Sequence, residues 1–174
     1  MTDISALYEA YRKVYLEFDK SKRPSKDHVV GILFPVASTV PQMIWLKCQW
    51  WPQDEEEMDE VTERYQLPES EEWLGKVGRD IPVATPMNDK GGRDTLFICA
   101  RDTFLCDGSQ FNECIGKIMT SKPGKVSPWR GPIIGYRKDG REFFSTECKD
   151  LAVDDLKRFI DSFLNYPGAG FPCY

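Results

Sequence analysis

Residues 95–118, TLFICARDTFLCDGSQFNECIGKI, and residues 127–132, SPWRGP, carry the reading on which the fold turns. The apolar run at 95–100 reads as a buried strand, with Arg101-Asp102 as the charged corner that ends it. Asp107-Gly108 reads as a turn, and residues 109–119 as a short helix with Phe111, Ile115 and Ile118 inward. Pro123, Pro128 and Pro132 hold 120–132 as a loop, because proline fixes φ and cannot donate to a helix or ladder.

Working outward toward the N-terminus, Ile4, Leu7, Tyr8, Tyr11, Tyr15 and Phe18 recur three and four residues apart. That spacing puts them on one face of a helix over residues 3–19, capped by Thr2 or Asp3. HVVGILF at 28–34 is an apolar run closed by Pro35, hence a buried strand. In residues 42–50, Ile44, Leu46, Cys48 and Trp50 alternate with Met43, Trp45, Lys47 and Gln49. Large apolar groups on both faces predict a central strand covered on each side. A surface helix is expected from about Asp54, with Met58, Val61 and Tyr65 as its apolar stripe and Pro68 as its end. One or two further turns follow at 69–76, and 78–94 reads as irregular.

Downstream, strands at 133–138 and 141–146 flank Asp139-Gly140, a pair favoured in type I′ hairpin turns, where both central φ angles are positive. Val153, Leu156, Phe159, Ile160, Phe163 and Leu164 define a closing helix, begun by Asp150 or Asp154 and stopped at Pro167. The apolar residues of the tail, GAGFPCY at 168–174, suggest that it packs down. The predicted fold is a single α+β domain over residues 1–174. About five strands, mostly antiparallel, form a sheet that carries the N- and C-terminal amphipathic helices.

A chain of 174 residues with 41% hydrophobic content is large enough for a real core and too apolar for disorder. No apolar run reaches the roughly 18 residues a membrane span needs. Asp3 and Glu9 make the N-terminus unlike a secretory signal, so cytoplasm or nucleus is expected, with no membrane partner. The six cysteines, Cys48, Cys99, Cys106, Cys114, Cys148 and Cys173, include no C-x-x-C pair, and His28 is the one histidine. Reduced, mostly buried thiols are therefore expected, with no metal and no cofactor.

Charge is divided. Residues 54–72 hold ten acids against Arg64, a net of −9, and residues 117–141 hold seven basic residues against Asp139, a net of +6. Opposed patches suit either an internal electrostatic match or two partner surfaces. A chain of net charge −5 as a whole repels phosphate, so no nucleic acid is expected.

Chemistry-bearing residues concentrate in the opening stretch. Arg101, Asp102, Asp107, Ser109 and Asn112 lie within a dozen residues at a strand-to-helix junction, a place where helix N–H groups face outward. Trp129 and Arg130 follow in the loop, where an aromatic ring beside a guanidinium suits an anionic ligand; a plug over the sheet edge is the competing role for the ring. The candidate ligand-binding set is Arg101, Asp102, Asp107, Asn112, Trp129 and Arg130. Within it, Asp107 is expected to cap the helix, since Asp107 to Gln110 has capping-box-like spacing, and Asp102 with Arg130 to form the functional pair. Cys106 beside acids is a poor nucleophile, and no nucleophile elbow, phosphate loop or zinc-protease motif occurs.

The run Arg101-Asp102-x-Phe104-Leu105-x-Asp107-Gly108-Ser109-x-x-Asn112, then Trp129-Arg130-Gly131-Pro132, then Asp-Leu-x-x-Phe-Ile-Asp-x-Phe, resembles a region of uncharacterised fungal proteins. Many of those also carry a MYND-type zinc finger, whose closely spaced ligands this chain lacks. The resemblance covers roughly residues 95–166 and implies a fungal, intracellular protein with a recurring structural unit at 101–132. It implies no activity. Two functions remain expected: an interaction or regulatory domain that recognises a protein partner through charged and Trp-rich surfaces, without catalysis, or a small-molecule enzyme or binder. The second would line its pocket with the 101–112 and 129–130 segments and take a small anionic ligand.

Overall fold

The computed structural model describes residues 3–51, 64–140 and 147–166. The helix α1 (Ile4–Glu17) starts at Asp3, whose carboxylate accepts from the Ser5 amide at 3.1 Å. Its Leu7, Tyr11 and Tyr15 are buried, one helical turn apart. Strands β1 (His28–Phe34) and β2 (Gln42–Trp51) pair antiparallel, Val30 opposite Trp45. Then come β3 (Tyr65–Pro68), α2 (Glu71–Leu74), β4 (Gly78–Ala84), β5 (Thr95–Arg101), α3 (Glu113–Thr120), β6 (Ile133–Lys138), β7 (Cys148–Lys149) and α4 (Val153–Leu164).

Together these strands build one antiparallel sheet in the order β3-β2-β1-β6-β5-β4, with β7 beside β6. The α+β class holds, and β1 and β2 are interior strands as the two-faced pattern of β2 required. The sheet curls. In a flat sheet β3 and β6 would stand about 14 Å apart, three strand spacings. Instead the Gln66 side chain of β3 accepts from the Cys148 amide of β7 at 2.9 Å.

One face of the sheet, with Val30, Ile32, Phe34, Leu96, Ile98 and Ile133, packs against α1, α3 and α4. Phe159 and Phe163 of α4 meet Phe34 edge-on at 5.9 and 5.3 Å between centroids, the geometry that aromatic quadrupoles favour. Behind the sheet, Leu46, Cys48, Cys99, Ile134, Tyr136 and Cys148 form a second core with Leu74 of α2 as its cover.

Three of the strands were not expected. The segment 78–94 is not irregular throughout: 78–84 is β4, the sheet's edge, held by its pairing to β5 despite a bulge between Pro82 and Ala84. Its residues are exposed or half-buried, so it lacks the apolar run that marks an interior strand. Tyr65 to Pro68 is a strand rather than the end of a helix; the rest of the expected acidic helix lies outside the described residues. So do strand 141–146 and the tail.

The chain does reverse after β6, by a wider route than a two-residue turn. Lys138 pairs with Cys148, and the Asp139 amide donates to the Glu147 carbonyl at 2.7 Å. Asp139 does not have positive φ, so the type I′ expectation fails. Gly140 is needed for another reason. A Cβ there would lie 1.4 Å from the Arg93 carbonyl oxygen, because two backbones cross at contact.

Candidate functional site

The opening stretch is a stitched unit. Ser109 is its centre: Arg101 Nη1 donates to the Ser109 hydroxyl oxygen at 3.1 Å, and Arg130 Nη1 lies 3.5 Å from its carbonyl. Asp107 accepts from the Ser109 amide at 2.9 Å and from its hydroxyl, and on its other oxygen from Thr103 at 3.1 Å. These bonds, the Ser109 hydroxyl above all, hold Asp107 well below the usual carboxylate range. Arg101 also donates from Nε to the Leu74 carbonyl, tying the end of α2 to this loop.

Asp107 is therefore a turn former and not the cap of α3. The cap is Asn112, whose Oδ1 accepts from the Ile115 amide at 2.9 Å. The helix begins four residues later than expected, and Phe111 sits outside it, partly exposed. Asn112 is fully buried and its Nδ2 donates to the carbonyls of Phe34 and Gly131 at 2.9 and 2.8 Å. One side chain thus joins β1, α3 and the 127–132 loop.

Trp129 is the plug and not a surface platform. Its ring is 1% exposed, stacked on Phe104 at 5.4 Å and 11°, with Phe163 edge-on at 5.7 Å. Asp102 and Arg130 are exposed and form no ion pair with each other. Of the six residues named from sequence, Arg101, Asp107 and Arg130 meet at Ser109, Asn112 and Trp129 are buried in packing and hydrogen-bonding roles, and Asp102 stands apart.

A concave site lies elsewhere. A cavity of about 520 Å³ opens between the edge strand β4 and α4. Its walls are Ile81, Val83 and Ala84 on one side and Phe163 and Tyr166 on the other, with Ile98 and Trp129 below. That volume and apolar lining match the roughly 300–1,000 Å³ of ordinary small-molecule sites. Trp129 is the one sequence-named residue that reaches it.

Few polar groups border the cavity. Ser162 Oγ lies 3.1 Å from the Val83 carbonyl and 2.8 Å from that of Arg158, which fastens α4 to β4 and uses the hydroxyl. Arg158 Nη1 donates to Asp155 at 3.0 Å. Asp161 accepts from the Tyr8 hydroxyl. Burial first, and then this bond, push Tyr8 up to about 12, so it remains a donor at every physiological pH. Sequence reasoning missed the site because Ile81 and Val83, though two apart as on one strand face, fall beside Pro82.

Sequence reasoning also missed a buried charge cluster beneath the start of α4. Asp94 accepts from Arg137 Nε at 2.8 Å, Asn88 at 2.9 Å and the Gly140 amide at 3.1 Å, with Lys149 at 3.3 Å. Burial would raise Asp94, yet Asn88, Arg137 and the other donors hold it at about 2. Asp155 takes Arg137 Nη1 at 2.9 Å and the Ala152 amide at 2.8 Å, closing the first turn of α4 in place of the expected Asp150 or Asp154. Asp150 instead accepts from Val30 and Arg23.

Among the described residues no group of three or more His, Cys, Asp or Glu side chains is placed to hold a metal ion. No helix among them is long and apolar enough to cross a membrane. Cys48, Cys99, Cys114 and Cys148 are buried free thiols and Cys106 an exposed one. Compared with protein-family models, curated proteins and solved structures, the chain matches none.

Proposed function

We propose that this protein is a non-catalytic binding module for a small molecule, and that its site is the groove between β4 and α4. The carrying observation is the 520 Å³ apolar cavity, with Trp129 and Ile98 as floor and Phe163 and Tyr166 as wall. Its polar rim is sparse and largely committed, which suits orientation of a ligand and offers no nucleophile paired with a base. Free thiols at five cysteines suit a reducing compartment, so we assign the module to cytoplasm or nucleus.

The test uses a neutral probe, 4-phenylbutanol. Saturable displacement of the Trp129 indole N–H resonance is expected, and loss of that response in Ala84→Trp, which fills the groove from its exposed wall. Binding that survives Ala84→Trp, or no saturable binding by the wild-type protein, overturns the reading.

A second reading has its own observation. Trp51 and Tyr65 pair across β2 and β3 at 42% and 41% exposure, a pair of aromatic rings that flanks the acidic residues 54–63 in the sequence. It makes that end of the sheet the contact for a basic protein partner. Trp51→Ser should then weaken a partner recovered by pull-down without changing the melting temperature; unchanged recovery removes this reading.

A further inference from the structure

The β4–α4 groove does not end at α4. A second cavity of about 620 Å³ lies on the other side of the last turns of this helix, with Ile4, Pro123 and Leu164 among its walls. The two share Asp161 and Asn165. Asp161 and Asn165 therefore stand where they meet, and Asp161 is the one charged residue that borders both.

Its charge is not matched by a cation. Tyr8 donates to one oxygen, and among the described residues no lysine or arginine forms an ion pair with either. The nearby cations are engaged in other ways. Arg158, one turn earlier, donates to Asp155, and Lys157 sits over the Tyr8 ring at 5.0 Å. Lys122 borders the second cavity, but Asp3 borders it too, so with Asp161 that cavity has a net charge of −1. A carboxylate with a free oxygen, half-buried beside aromatic rings, attracts a cation by charge, and the ring faces reinforce the attraction.

Resting on the groove as the binding site, we propose that its ligand is an amphipathic amine: an apolar body between β4 and α4 and an ammonium group held by Asp161. The ammonium donates to the oxygen that Tyr8 leaves free, and Tyr8 positions that carboxylate.

The experiment compares 4-phenylbutylamine, 4-phenylbutanol and 4-phenylbutyrate by calorimetry on the full chain. The amine should bind about tenfold tighter than the alcohol, as a single charge-assisted hydrogen bond allows, and the carboxylate more weakly than either. Asp161→Asn should bring the amine to the affinity of the alcohol and leave the alcohol unchanged. Tyr8→Phe, which removes the donor and keeps the charge, should preserve the preference for the amine. If amine and alcohol bind alike, or the preference persists in Asp161→Asn, the amine assignment falls while the groove stands. If none of the three binds, both fall.

Discussion

Replacing Asp94 by Asn removes one charge from the cluster under α4 and changes almost nothing in shape. Asp94 is fully buried and receives Arg137, Lys149, Asn88 and the Gly140 amide. Two of those bonds come from charged donors, each worth roughly 1.5–3 kcal/mol. Both cations keep a second carboxylate, Asp155 for Arg137 and Asp139 for Lys149, so neither is stranded and the loss stays near the lower end. The depressed pKa of the carboxyl points to a somewhat smaller figure than two such bonds would. Its drop from 3.8 to about 2 corresponds to about 2 kcal/mol in favour of the folded state when ionised.

Because the folded value is depressed, that stability is complete above pH 3.8 and is lost as pH falls toward 2. Urea unfolding of wild type and Asp94→Asn at pH 7, 4 and 2.5 measures it. The difference should be about 2 kcal/mol at pH 7, a fall of roughly 4–8 °C in melting temperature for a chain of this size, and should shrink sharply by pH 2.5. A difference under about 0.5 kcal/mol at pH 7 would mean that desolvation cancels the ion pairs. A difference independent of pH would mean that Asp94 acts through shape and not charge.

Asn112→Ala removes the α3 cap and leaves the buried Phe34 and Gly131 carbonyls without their side-chain donor, so chemical denaturation should show a loss of roughly 3 kcal/mol or more. Gly140→Ala drives a methyl group into the Arg93 carbonyl, and soluble expression with a normal circular dichroism spectrum would refute the backbone crossing. Asp102→Ala and Arg130→Ala touch exposed side chains with little bonding, so each should leave the melting temperature within about 2 °C of wild type, as surface changes do.

How far the fold was legible depended on burial. Helix α1 and strands β1 and β2 follow from their apolar spacing, since α1 presents a whole face to the first core and the two strands contribute to both. Edge strands β3 and β4 have no such faces to fill, and sequence periodicity records burial rather than hydrogen bonding. Helix α4 was legible in its apolar stripe but not in its start. Asp155 closes the first turn through the Ala152 amide, and it is held there by Arg137 of β6, a partner with no local signature. Gly140 was correctly seen as a glycine that matters and assigned the wrong cause, because a crossing backbone has no local signature.

The site residues follow the same logic. Arg101, Asp107, Ser109 and Asn112 are close in sequence because a loop that leaves a strand and starts a helix must satisfy many amide and carbonyl groups within a few residues. Their hydrogen-bonding capacity is spent on the chain itself, on Leu74, Phe34 and Gly131 among others, so little remains for a ligand. A binding cavity needs the reverse: apolar walls supplied by separate elements and a polar group with capacity to spare. Here the walls come from residues 81–84 and 158–166, which meet only after the sheet forms and α4 docks on it. Asp161, with one oxygen committed to Tyr8 and one open, has that spare capacity, and in the sequence it is an ordinary acid on the polar side of an amphipathic helix. In this chain, polar density along the sequence marks the places where backbone is satisfied. The functional candidate lies where an edge strand and a helix leave space between them.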